Sequence, residues 1–198
     1  MAIIVDKEQK RKDIAIACTD LLLDKGLKNL RISDIATTAG IGKGTVYDYF
    51  ANKEAVVFEI IRNLIVEHQH DLSERSDDNT PCRQKIFYLF DFYLCKYKDY
   101  HKHLEVYKEY LDATIASKNP AMYAFNNECI VFIQQILSTI ITQGINKKEL
   151  KPIASEFIES LIATERGFMM LGWTENKCYK NKFKNYINTL FDLIEIKP

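Results

Sequence analysis

The 198-residue sequence has little that would punctuate or staple a chain: 4 prolines, 7 glycines and 1 tryptophan. That scarcity excludes collagen-like and low-complexity architectures. The cysteines (Cys18, Cys82, Cys95, Cys129 and Cys178) are odd in number, widely spread and contain no C-x-x-C pair. A disulfide scaffold is therefore excluded, and reduced thiols in a cytoplasmic protein are expected. No apolar run approaches the ~18 residues of a membrane span. The opening Met-Ala-Ile-Ile-Val is too short for a signal peptide. A surplus of either charge is missing too, since 27 Lys+Arg balance 27 Asp+Glu. This argues against a uniformly basic nucleic-acid binder but leaves room for a local basic face.

What is present is apolar, charged and helical in period. With 47% hydrophobic and 27% charged residues, the chain can bury roughly 70% of its unfolded surface in a sizeable core. No segment alternates apolar and polar residues between hairpin turns, so the expected fold is all-α. Ile14, Ala17, Cys18, Leu21 and Leu22 form a stripe that ends at Lys25-Gly26, which predicts a first helix over residues 8 to 25. Four glycines fall between Gly26 and Gly44, whereas Pro81, Pro120 and Pro152 lie later. Short helices are thus expected first and longer ones afterwards, near 52–73, 82–99, 101–117, 120–144, 152–173 and 178–196.

Residues 32–50 carry the chemistry. Ile35, Ala39, Ile41, Val46 and Phe50 fall where two short helices joined by a tight turn face inward, with Ala36 allowing close approach and Gly40 supplying the turn. This is a helix-turn-helix. Its second helix, Lys43 to Phe50, keeps Val46 and Phe50 on the core side and leaves Thr45, Tyr47 and Tyr49 with polar ends outward. Such a face suits a major groove: Thr45 offers a methyl and a hydroxyl to base edges, and tyrosine hydroxyls reach phosphates. The same motif also serves as a generic packing unit. Local charge does not decide, because residues 1–65 hold ten basic and nine acidic side chains. Lys10, Arg11 and Lys12 read either as a solvated face or as added phosphate contacts. The string Gly40-Ile-Gly-Lys-Gly-Thr45 lacks the spacing of a nucleotide loop.

On Ala17, Leu21, Lys25-Gly26, Asp34-Ile35-Ala36, Ala39-Gly40-Ile41, Lys43-Gly44-Thr45, Tyr47, Tyr49-Phe50 and Lys53-Glu54, the stretch Ile14 to Ala55 resembles the DNA-binding domain of the TetR family of transcriptional regulators. The resemblance implies a helix-turn-helix domain over 1–52 and a helical effector-binding and dimerisation domain over 53–198. It implies DNA contacts from Lys43, Gly44, Thr45, Tyr47 and Tyr49, with Lys53 clamping a phosphate. Two positions depart from the family pattern. Arg31 stands where a Ser or Thr usually caps the second helix, leaving the cap to Ser33 or to water and freeing Arg31 for a phosphate; Gly42 replaces a common Ser.

Downstream, Phe87 to Phe132 holds 12 of the chain's 23 aromatics in 46 residues. A single core face does not need that many. Phe90, Tyr93, Tyr97, His103, Tyr107, Met122, Phe125, Asn126 and Cys129 are the candidate lining of a ligand cavity, and bulky core packing is the alternative. The resemblance favours the cavity, since family members carry a variable ligand-binding domain. His68/His70 and His101/His103 are spaced two apart and so diverge on a helix, and no metal or cofactor is expected. No catalytic motif stands out, so no enzyme is expected. Near the end, Phe157, Leu161, Phe168, Phe183, Tyr186 and Leu190 recur at helical steps as candidate dimerisation residues, with Gly167 and Gly172 permitting close approach. The resulting expectation is a homodimeric repressor of a palindromic operator, released by a small, mostly apolar or aromatic effector. Its rivals are a DNA-binding protein without effector, and a helical ligand-binding protein or enzyme that uses the motif as scaffold.

Overall fold

Apolar residues at helical spacing become helices throughout. The computed structural model describes residues 6–94 and 98–197, without the side chains of 98–100 and 117. Among these residues it is all-α apart from one antiparallel bridge, Leu150 with Glu195. The helices are α1 (Lys7–Ala17), α2 (Thr19–Asn29), α3 (Ile32–Thr38), α4 (Lys43–Tyr49), α5 (Lys53–Arg75), α6 (Cys82–Leu89), α7 (Asp91–Leu94), α8 (Lys98–Ser117), α9 (Pro120–Asn146), α10 (Ile158–Glu175) and α11 (Lys180–Ile194), with a 3-10 turn over Pro152–Phe157.

The expected first helix is present but breaks at Cys18 (φ −89°, ψ 1°). It stops being helical at Gly26, whose φ of 68° is the left-handed geometry that the Lys25-Gly26 signal requires. Asp6 starts α1 by accepting hydrogen bonds from the Glu8 and Gln9 backbone N–H groups. The helix expected over 82–99 is interrupted at Phe90 (φ −94°, ψ 10°), so its apolar stripe is split between α6 and α7. Cys95 and Tyr97 lie outside the described residues.

The chain forms two compact units, one of residues up to His68 with His101–Phe125, the other of Gln69–Tyr100 with the remainder from Asn126. In the first, Phe58 of α5 stacks on Phe125 at 4.4 Å and meets Tyr110 edge-on at 6.3 Å. The buried Tyr110 hydroxyl donates to the Met122 carbonyl at 2.7 Å. Two contacts join α8 to α2: Lys102 pairs with Asp20 at 2.6 Å, and Glu109 Oε2 accepts from the Leu27 N–H at 3.3 Å. A Cβ on Gly26 would sit 2.9 Å from that carboxylate oxygen. Gly26→Ala therefore combines left-handed strain with displacement of Glu109, and is expected to cost about 2 kcal/mol, read as a lower urea midpoint with unchanged slope.

In the second unit, Phe183 is fully buried and touches Phe90 (5.2 Å), Tyr93 (5.9 Å), Phe168 (6.1 Å) and Tyr186 (6.4 Å). Arg83 of α6 grips the end of α11 through both oxygens of Glu195 and through Asp192. Helix α9 is long and apolar enough to cross a membrane by length and composition, with a mean hydropathy of 1.3 over its best window, a property that core helices share.

Candidate nucleic-acid interface

The helix-turn-helix is built as its spacing requires. Ile35, Val46 and Phe50 are at most 1% exposed, which leaves α3 and α4 no freedom to rotate about their axes. The turn closes through Gly40, at φ 64°, and through the Ile41 N–H donating to the Ala36 carbonyl at 3.0 Å. Gly42 starts α4 with its backbone alone, its carbonyl accepting from Val46 N–H at 3.1 Å. At the start of α3, where the cap was left to Ser33 or to water, the Asp34 carboxylate accepts from the Arg31 backbone N–H at 3.2 Å. Ser33 gives only its carbonyl, to the Thr37 hydroxyl. The Lys25 ammonium, 2.8 Å from Asp34, holds that carboxyl below its usual range.

Locking one face of α4 inward turns the other outward. Lys43, Gly44 and Tyr47 are exposed, Tyr47 at 54%, and Thr45 and Tyr49 are half-buried. Arg31 and Ser33 are exposed at the start of α3. A Cβ added at Gly44 would meet nothing within 4 Å. The fold itself therefore does not need a glycine there, although glycine costs an exposed helix about 1 kcal/mol; a closely approaching surface would need it.

Two cations are already in use. Arg11 donates to the Tyr49 carbonyl at the end of α4, pairs with Glu59 of α5 at 2.9 Å and lies 4.7 Å above the Phe50 ring. Its place is a bracket holding α4. Lys53 Nζ donates to the Leu27 and Lys28 carbonyls at 2.8 and 3.0 Å. Two of its three donors thus face the end of α2, and a phosphate can take the third. Sequence reasoning missed the Arg11, Lys25 and Glu109 contacts, which carry no local signal.

The candidate ligand set divides between the units. His103 and Tyr107 are half-buried and Met122 and Phe125 buried in the first; Phe90, Tyr93 and Cys129 are buried and Asn126 half-buried in the second. Asn126 Oδ1 is buried without a hydrogen-bond partner, as are Asn63 Nδ2 and Glu165 Oε1, two residues the sequence did not single out. Burial pushes the Cys18 thiol up to about 11, in keeping with an inert thiol.

Of the dimerisation candidates, Leu161, Phe183 and Leu190 are buried inside the second unit. Phe157, Phe168 and Tyr186 are half-buried. The outward apolar residues of α10 and α11 are instead Met170, Leu171 and Leu193, at 41%, 42% and 66% exposure. Gly172 is needed by its own chain, since a Cβ there would lie 3.0 Å from the Lys177 carbonyl, whereas one at Gly167 would meet nothing.

Residues 17–60 match the family described as bacterial regulatory proteins of the tetR family. The fatty acid metabolism regulator protein of Bacillus subtilis is 23% identical over 145 residues, 73% of each chain. The transcriptional repressor KstR2 of Mycolicibacterium smegmatis is 34% identical over 56 residues, 28% of this chain and 27% of its own. A TetR-family regulator from Cytophaga hutchinsonii superposes with a TM-score of 0.77 at 21% identity, covering 98% of this chain and 99% of that one. Residues 17–60 thus carry a helix-turn-helix that matches the tetR family of bacterial regulatory proteins, and the all-α fold is the one seen in solved TetR-family regulators.

Proposed function

We propose that the protein is a cytoplasmic homodimeric repressor that occupies a palindromic operator and leaves it when a small effector enters its helical domain. On this reading residues 1–52 bind DNA and 53–198 bind effector and partner. The observation that carries it is the outward face of α4, where Lys43, Gly44, Thr45 and Tyr47 stand on a frame immobilised by Val46 and Phe50. One such helix reads only a few bases. Two copies must therefore present theirs about 34–36 Å apart, one turn of the duplex. The outward Met170, Leu171 and Leu193, with the open Gly167 between flanking turns of α10, supply an apolar face suited to a twofold partner. Repression is supported by the KstR2 relative, itself described as a repressor.

An effector shifts the balance only by binding more tightly to the conformation whose half-site spacing is wrong. Helix α5 is the lever: it begins at Lys53 beside α2 and carries Phe58 into the Tyr110 and Phe125 cluster. The test is binding to DNA upstream of the protein's own gene at several salt concentrations. Thr45→Ala is expected to lose about tenfold in discrimination between operator and mismatched sites. Lys53→Ala should weaken binding to all sequences and reduce the salt slope by roughly one. Parent-like behaviour of both variants would overturn the contact assignment, and no salt-dependent binding by the parent would overturn the regulator reading.

A further inference from the structure

Among the described residues, the buried polar side chains are Thr19, Thr114 and Glu165. The two threonines are satisfied by their own helices, donating to the Ala15 and Tyr110 carbonyls. Glu165 differs. It is 3% exposed, on the same inward face of α10 as Leu161, Ile162 and Met169, and its Oε1 has no hydrogen-bond partner. A leucine or methionine would serve packing better, because an unsatisfied buried carboxyl loses hydration without compensation. Native proteins rarely keep such a group without a role for it.

Its surroundings indicate what that is. Glu165 stands three residues before Phe168 on α10, and the Phe168 ring lies 6.1 Å from that of Phe183; the Glu165 charge also acts on the Tyr93 hydroxyl of α7. Tyr93 belongs to the ring cluster centred on Phe183, with Phe90 at 5.2 Å and Phe168 at 6.1 Å from it. Aromatic faces beside a carboxylate attract an organic cation, through ring quadrupoles and a desolvated counter-charge. An anion would find no counter-charge there, and a neutral hydrocarbon would gain nothing from the carboxyl.

We propose that Glu165 is the counter-ion of an effector subsite that takes the ammonium head of an organic cation, with the Tyr93 and Phe183 rings against its apolar remainder. This deepens the regulator reading and rests on it for the word effector. Burial by itself holds the Glu165 carboxyl protonated, with its pKa pushed up to about 8. A cation then displaces the proton to solvent: carboxyl plus ammonium becomes a carboxylate–ammonium pair and one released H⁺. The charged and titratable groups acting here are Arg166 beside it on α10, Tyr93 on α7, and Cys178 ahead of α11, whose charge reaches Tyr93.

Calorimetry on the full chain at pH 7 tests this, with benzyltrimethylammonium and hexyltrimethylammonium as probes and neopentylbenzene as the neutral isostere of the first. The cations are expected to bind at least about tenfold more tightly than the isostere. Each should release close to one proton, read from the dependence of heat on buffer ionisation enthalpy. Glu165→Gln should weaken the cations about tenfold, abolish proton release and leave the isostere unchanged. Equal binding of isostere and cation, cation binding indifferent to Glu165→Gln, or no binding of either cation would overturn the proposal. DNA binding is measured on the same preparation. Operator binding without a Glu165-dependent cation effect sinks this inference alone, whereas absent operator binding sinks the regulator reading and leaves the cation result standing.

Discussion

Glu165→Gln is expected to stabilise the protein at neutral pH by about 3 kcal/mol. Burial raises the Glu165 pKa from 4.5 to about 8, opposed only by the charge of Arg166. The folded protein therefore binds more protons than the unfolded chain between those values, and linkage makes stability fall as pH rises through them. The contribution is fully present below pH 4.5, is eroded by about 1.4 kcal/mol per pH unit above it, and stops changing above pH 8. At pH 7 the loss is about 3 kcal/mol, equivalent to a melting temperature near 10 °C lower for a chain of this size. Glutamine keeps the shape of the protonated acid and does not titrate. Urea unfolding at pH 5, 7 and 8.5 should give curves for parent and variant that converge at pH 5 and separate progressively above it. Parallel profiles would show that Glu165 is already paired or hydrated. A bound cation should flatten the parent's profile, which links this measurement to the proposed subsite.

Arg11→Met is the second large effect, and it separates bracing from contact. The guanidinium ties three pieces of the first unit together: the last carbonyl of α4, the Glu59 carboxylate of α5 at 2.9 Å and the Phe50 ring at 4.7 Å. Its removal leaves Glu59, only 16% exposed at the side chain, without its cation. Because the pair is partly solvated, the expected cost is roughly 2 kcal/mol, below that of breaking a fully buried ion pair. The functional effect should be larger. With the end of α4 unpinned, affinity for every DNA sequence should fall at least about tenfold, because recognition requires the helix to be held in register with the groove. The salt slope should not change, since no phosphate contact is lost. Lys53→Ala also weakens binding to all sequences but is expected to reduce the salt slope. A slope reduced by about one in Arg11→Met would mean that Arg11 itself contacts a phosphate.

How much of this was legible beforehand follows from the range over which each signal acts. The turn at Gly40, the inward Ile35, Val46 and Phe50 and the stop at Gly26 are written in neighbours three or four positions apart, where helix geometry alone dictates the outcome. The bond from the Arg31 N–H to the Asp34 carboxylate at the start of α3 is equally local, three residues apart, yet Asp34 was not singled out for it. By contrast, Glu109 reaches a backbone N–H 82 residues away and Arg83 reaches a carboxylate 112 residues away. No periodicity encodes such pairings.

By itself, then, the sequence determined an all-α chain, a helix-turn-helix with a particular outward face, and a later region too rich in aromatics for one core stripe. Tertiary structure alone decided which charges were consumed in holding that motif together, that Leu161, Phe183 and Leu190 point into their own unit, and that Glu165 is buried with a carboxyl oxygen left unpartnered. The reason is physical. A 3.6-residue period says that one side of a helix must leave water, but the neighbour that covers it, and the polar atoms stranded there, depend on how distant helices pack.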